Sequence, residues 1–123
     1  MIVLDEQLRD PRIPRAVTQW YKGTVISVEM LRPQTRVFDD AVPTLLRRVR
    51  QPTFVTINYK DFWKKIPASR DYCVICFKLP GERSLEVSEL LRWVLSLSGL
   101  RTKRERMGAV VSVVDRKVVL YRD

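Results

Sequence analysis

Thr53-Phe-Val-Thr-Ile57 and Tyr72-Cys-Val-Ile-Cys-Phe-Lys-Leu79 are two β-rich runs, separated by a short helical turn that begins near Tyr59 and runs through Asp61-Phe-Trp-Lys-Lys65. Strand, helix and strand in succession build a parallel sheet, because parallel neighbours need a crossover between them. The alternation extends in both directions. Upstream, Ile2-Val-Leu4 is a short apolar strand, and Pro11 and Pro14 mark the entry to a helix reaching about Tyr21. Gly23 ends that helix, and Thr24-Val-Ile-Ser-Val28 is again β-rich. Beyond a loop around Pro33, Asp39 and Asp40 open a second helix, with Pro43 in its first turn and Leu45, Leu46 and Val49 as its apolar stripe. Carboxylates suit that opening, where they meet free N–H groups and the positive end of the dipole. Downstream, Pro80-Gly81 is a turn and Ser84 is expected to cap a helix from Leu85 to about Ser98, with Gly99 at its C′ position. Val87, Leu90, Leu91, Val94 and Leu95 keep its 3.6-residue period. Ala109–Val114 and Lys117–Tyr121, joined at Asp115-Arg116, read as a hairpin. The expected fold class is α/β: a sandwich with a mainly parallel central sheet and a C-terminal β-hairpin, in one domain over residues 1–123.

The charge balance is unusual for so ordinary a mixture. In 123 residues, 23 Lys and Arg stand against 14 Asp and Glu, a net charge of +9. A folded domain this basic is suited to polyanions, nucleic acid ahead of a membrane surface. The chain has no His, which excludes Ser–His triads, His general bases and His-built zinc sites. It has neither a G-x-x-x-x-G-K-[ST] loop nor G-x-G-x-x-G, so the common nucleotide cradles are missing. No apolar run approaches the ~20 residues that span a bilayer. The opening Met1-Ile-Val-Leu-Asp-Glu6 lacks a basic segment followed by an apolar one, so a cytoplasmic location without membrane contact is expected. Cys73 and Cys76 form a C-x-x-C, but side chains three apart on a strand point to opposite faces. They are expected to be two buried thiols sharing neither a metal nor a disulfide.

Three polar clusters fall where function gathers in open parallel sheets, at carboxyl ends of strands or at the helix that follows. Asp5 and Glu6 end the first strand, Asp39 and Asp40 begin the second helix, and Asn58 ends the third strand with Asp61 one turn onward. Of the seven acidic residues in the first 61, five belong to these clusters. Gathering carboxylates at one edge is costly by mutual repulsion unless a cation sits between them. Oxygen ligands of this kind suit Mg²⁺ or Mn²⁺. Each cluster also has a plainer reading, since Asp39, Asp40 and Asp61 are equally suited to capping a helix.

The segments Ile2-Val-Leu-Asp5-Glu6, Phe38-Asp39-Asp40-Ala-Val42 and Phe54-Val-Thr56-Ile-Asn58-Tyr-Lys-Asp61-Phe62, in that order, resemble PIN-like domain proteins, and among them the small bacterial VapC-like toxins. The resemblance covers roughly residues 2–80. It implies a three-layer PIN-like sandwich and a ribonuclease using Mg²⁺ or Mn²⁺. It further implies an antitoxin protein as partner. Carried over by position, Asp5 is the central metal ligand and Asp39 or Asp40 the second acid. Asn58 and Asp61 stand at the last two acidic positions, with Thr56 as the accompanying hydroxyl. On this reading Asp5, Asp39 and Asp61 are catalytic, and Asp5, Glu6, Asp39, Asp40, Asn58 and Asp61 are the metal ligands. Two departures stand out: Asn58 replaces an acid, and one extra residue separates it from Asp61.

Basic residues supply the RNA contacts expected of such an enzyme: Arg47 and Arg48 at the end of the second helix, Lys60, Lys64 and Lys65 past the third strand, and Arg101, Lys103 and Arg104 before the hairpin. Sixteen of the 23 cations are Arg, the residue better suited to bidentate phosphate contacts. Tyr59 and Trp63 are placed to stack an unpaired base. Three readings follow: a metal-dependent endoribonuclease; a catalytically inactive PIN-like module binding RNA or a protein, with Asn58 marking the loss; and a basic structural protein whose carboxylates are caps. Tyr121 and the Val-rich hairpin either cover a core or pair with a second copy of the chain.

Overall fold

The computed structural model describes residues 1–32 and 39–123. The loop expected around Pro33, and Phe38 of the second motif, lie outside the described residues. Six strands run β1 (Ile2–Leu4), β2 (Val25–Ser27), β3 (Thr53–Thr56), β4 (Cys73–Phe77), β5 (Ala109–Val114) and β6 (Lys117–Arg122). They form one sheet in the order β2-β1-β3-β4-β5-β6. The first five are parallel, and β6 returns antiparallel to β5. The described helices are α1 (Arg12–Thr18), α2 (Val42–Leu46), α3 (Tyr59–Phe62), α4 (Val87–Val94) and α5 (Lys103–Arg106).

Strand residues alternate between two cores, one on each face. Leu4, Val55, Ile75 and Val111 pack under Ile13 and Val17 of α1 and Leu91 and Val94 of α4. On the other face Val3, Phe54, Val74 and Val110 meet Leu45 and Leu46 of α2 and Phe62 of α3. The two thiols obey the same alternation: Cys73 belongs to the first core and Cys76 to the second, both buried and free. Tyr121 covers the second core, its ring 5.2 Å from Trp63 and its hydroxyl donating to the Ile66 carbonyl.

Chain reversal places the functional edge. From β1 the chain steps to β2 on one side, then returns past β1 to β3 on the other. Connections leaving β1 and β3 therefore diverge, which opens a crevice at their carboxyl ends. The crossovers through α1, α2 and α3 are consistent in hand: α1 steps one way on the first face, α2 and α3 the other way on the second. The connection through α4 steps the same way as α2 and α3 but lies on the face of α1. It winds with the opposite hand to the other three, a rare choice for a parallel connection.

Local boundaries depart from the expected ones at three places. The turn expected to begin near Tyr59 and run through Lys65 does begin at Tyr59 but ends sooner, at Phe62 with Trp63 as its cap, and Lys64 beyond it has a φ of 62°. The helix expected from Leu85 to Ser98 is split, with a 3₁₀ segment over Gly81–Glu86 leading into α4, and Ser84 caps nothing. Asp39 and Asp40 likewise sit in a 3₁₀ turn, Asp39–Ala41, that leads into α2. α5 lies inside the run expected to be only basic.

Candidate functional site at the carboxyl edge of the sheet

Asp5 stands immediately past β1, its N–H donating to the Val55 carbonyl at 2.9 Å, so the β1–β3 ladder fixes its position. The side chain is 4% exposed. One carboxylate oxygen accepts the Glu6 N–H at 2.8 Å and the other accepts the Thr56 hydroxyl at 2.6 Å. The Asn58 N–H occupies the Thr56 oxygen at 2.9 Å, which leaves the hydroxyl proton to point at Asp5. Burial pushes the Asp5 carboxyl up to about 6 against the pull of these two hydrogen bonds, and the charges of Asp39 and Glu6 add to the rise.

Asp39 lies across from it and accepts the Asn58 side-chain amide at 3.1 Å. Burial raises its pKa as well, followed by the fields of Asp61 and Glu6, while the Asn58 amide opposes the rise. The fold thus brings Asp5, Glu6, Asp39, Asn58 and Asp61 into one neighbourhood. The extra residue before Asp61 leaves that side chain exposed on α3, still near enough for its charge to act on Asp39. Asp5, Asp39 and Asp61 have no ion-pair partner among the described residues, and Glu6 only the long 3.8 Å approach of Arg9. Asp10 shows the contrast: two nitrogens of Arg12 grip it and hold its pKa down to about 2.

Two clefts flank the Asp39–Asn58 bond. One, about 740 Å³, has Asp39, Asp40 and Asp61 on its walls together with Arg47 and Lys65. The other, about 610 Å³, includes Asn58, Tyr59, Lys60 and Lys78. Lys78 sits 5.7 Å over the Tyr59 ring, and the Tyr59 hydroxyl pairs with Ser112 at 2.8 Å. Arg47 also approaches Asp71 at 3.6 Å. Arg48 and Lys64 are exposed and line neither cleft, while Arg101, Lys103 and Arg104 lie away from the carboxylates, on or beside α5.

The chemistry of this donor set, hard oxygens with one amide, suits Mg²⁺ or Mn²⁺. Among the described residues, however, no three Asp, Glu, His or Cys side chains stand close enough to hold an ion between them. Such an ion needs only one or two carboxylates when water and a substrate phosphate complete its shell. Ser112 and Lys78 escaped the reading of the sequence. Ser112 did carry a signal, as the one polar residue in the run Val110–Val114. Set against family models, curated proteins and solved structures, the chain has no match.

Proposed function

We propose that this chain is a divalent-metal-dependent endoribonuclease of the PIN-like kind, acting as the toxin of a toxin–antitoxin pair. One observation carries the reading: a buried carboxylate, Asp5, lies in the field of two further acids without a cation among the described residues to balance it, in a chain of charge +9. Such an arrangement is costly in the absence of a ligand, and it stands at the crevice where parallel sheets place their ligands. The motif order resembling PIN-like proteins supports the same reading.

A bound Mg²⁺ or Mn²⁺ would lower the pKa of a water and shield the leaving oxygen of a phosphodiester. Asp5 and Asp39 would hold it, with Asn58, Glu6, Asp40 and Asp61 around them. Thr56 keeps Asp5 in place. Arg47 and Lys65, on the acidic cleft, would grip the phosphate on either side of the cut.

A second reading rests on Asn58. Its amide donates to Asp39, relieving part of the repulsion that a metal otherwise relieves, as expected of a module that binds RNA or a protein without cutting. Incubation of a structured RNA with Mn²⁺ or Mg²⁺, beside EDTA and the Asp5→Ala variant, separates the two. Cleavage abolished by both controls is the expected result. Intact RNA that stays bound at low salt overturns the nuclease in favour of the module.

A further inference from the structure

A third cleft, about 350 Å³, lies at the opposite end of β3, between the end of α1, α4 and α5. Its position follows from Arg106, whose Nε donates to the Thr53 hydroxyl at 2.7 Å; Thr53 opens β3, whereas Thr56, beside Asp5, ends it. Arg106 is 3% exposed. Its other hydrogen bonds go to the carbonyls of Leu100 and Arg101, at 3.2 and 3.3 Å through Nη1. All three partners are neutral. Among the described residues no carboxylate pairs with it, and Nη2 has no partner there either. No buried side-chain nitrogen or oxygen among the described residues is left unsatisfied, so Nη2 is not sealed away from solvent, and Arg106 is one of the residues that line the cleft.

A buried guanidinium held only by neutral acceptors is costly, since its charge has been desolvated without an opposite charge in return. Arg92, Arg101 and Lys103 line the same cleft, which adds repulsion. Trp20 and Tyr21 complete its wall. The Trp20 indole N–H is already satisfied by Ser88 at 3.0 Å, so the indole offers the cleft an apolar surface. Four cations converging on one cleft beside two aromatic rings match a phosphate attached to a planar base.

We infer that this cleft is a nucleotide site, taking a phosphate on Arg92, Arg101, Lys103 and Arg106 and the attached base against Trp20 and Tyr21. The phosphate comes either from a free mononucleotide or from an RNA end. The site does not depend on the carboxylate cluster or on catalysis.

Titration calorimetry at low salt, in EDTA, with 5′-AMP, adenosine and a 5′-phosphorylated oligoribonucleotide tests it. AMP is expected to bind about tenfold or more tighter than adenosine, the worth of a charge-assisted contact. The double variant Arg92→Ala/Lys103→Ala, both exposed positions, is expected to weaken AMP by a further roughly tenfold with an unchanged melting temperature. Asp5→Ala and Arg48→Ala are expected to bind AMP as the parent does. Competition by the oligonucleotide identifies an RNA end as the source, and its absence a free nucleotide. Equal binding of AMP and adenosine, an unaffected double variant, or an equal loss on Arg48→Ala overturns the site.

Discussion

At the scale of the residue, Asp5 is the most informative group. Folded, it titrates at about 6 against 3.8 for an ordinary aspartate, because burial disfavours its charge. The folded chain therefore keeps a proton that the unfolded chain has released between those values. By linkage, this contribution is fully present below pH 3.8 and lost as pH rises through about 6. Holding the carboxylate charged in its buried place costs the fold about 3 kcal/mol at pH 7. Asp5→Asn retains an acceptor for the Glu6 N–H and lets the Thr56 hydroxyl turn round to accept. In EDTA it is expected to unfold at higher denaturant than the parent at pH 7, by about 1–3 kcal/mol, and to lose the parent's decline between pH 4 and 6. Equal stability of the two at pH 7 contradicts the burial cost. The thiols give a sharper test. Burial pushes Cys73 and Cys76 each up to about 12, so neither is expected to react with a disulfide reagent until the chain unfolds. The sequence disclosed Asp5, Thr56 and Asn58 because each sits where an apolar strand stops. Arg106 was hidden, because one buried arginine beside Arg101, Lys103 and Arg104 looks like the rest of the run.

At the scale of the element, strands were legible and helices only in part. Each strand is a β-branched or aromatic run ended by a polar residue, so its bounds are close to those expected. The helix expected from Leu85 is shorter because Arg83 pairs with Glu86 at 2.7 Å, an i,i+3 spacing that suits three residues per turn. It stops at Val94, where the Ser96 hydroxyl donates to the Trp93 carbonyl and the chain tightens into i→i+3 bonds. α5 did announce itself. Thr102 caps it by accepting the Glu105 N–H at 3.1 Å, the S/T-x-x-E spacing of a capping box, masked by the surrounding charge. The hairpin turn is where this scale makes its prediction. Asp115 and Arg116 hold φ of 48° and 59°, the left-handed pair of a type I′ turn, which Asn-Gly fills at least cost. Asp115→Asn/Arg116→Gly is expected to stabilise by about 1 kcal/mol, read as a shift of the denaturant midpoint with an unchanged slope. A destabilised variant shows that Arg116, 5.2 Å over the Trp93 ring, contributes more than its backbone costs.

At the scale of the molecule, charge is divided between the two ends of the parallel strands. Carboxylates gather at the carboxyl edge, while Arg101, Lys103 and Arg106 gather by the start of β3 with no acid paired to them among the described residues. Net charge alone pointed toward a polyanion as an expectation and carried no sign of this separation, which only the sheet order creates. No described helix is long and apolar enough to cross a membrane. Lys65 shares its cleft with Asp39 and Asp61, so a phosphate drawn there meets attraction and repulsion together. The cleft by the start of β3 has four cations and no carboxylate on its walls, so within it a phosphate meets attraction alone. Retention of RNA should therefore lean on the basic edge, and any cut on the acidic one. Each phosphate contact to a single strand contributes about −0.7 to the slope of log K against log salt. Arg101→Glu/Lys103→Glu is accordingly expected to flatten that slope by about 1.4 for a single-stranded RNA, and Lys65→Glu by about half as much. If both variants keep the parent's slope, the charge at these edges is carried for solubility, and retention of RNA belongs to the remaining arginines.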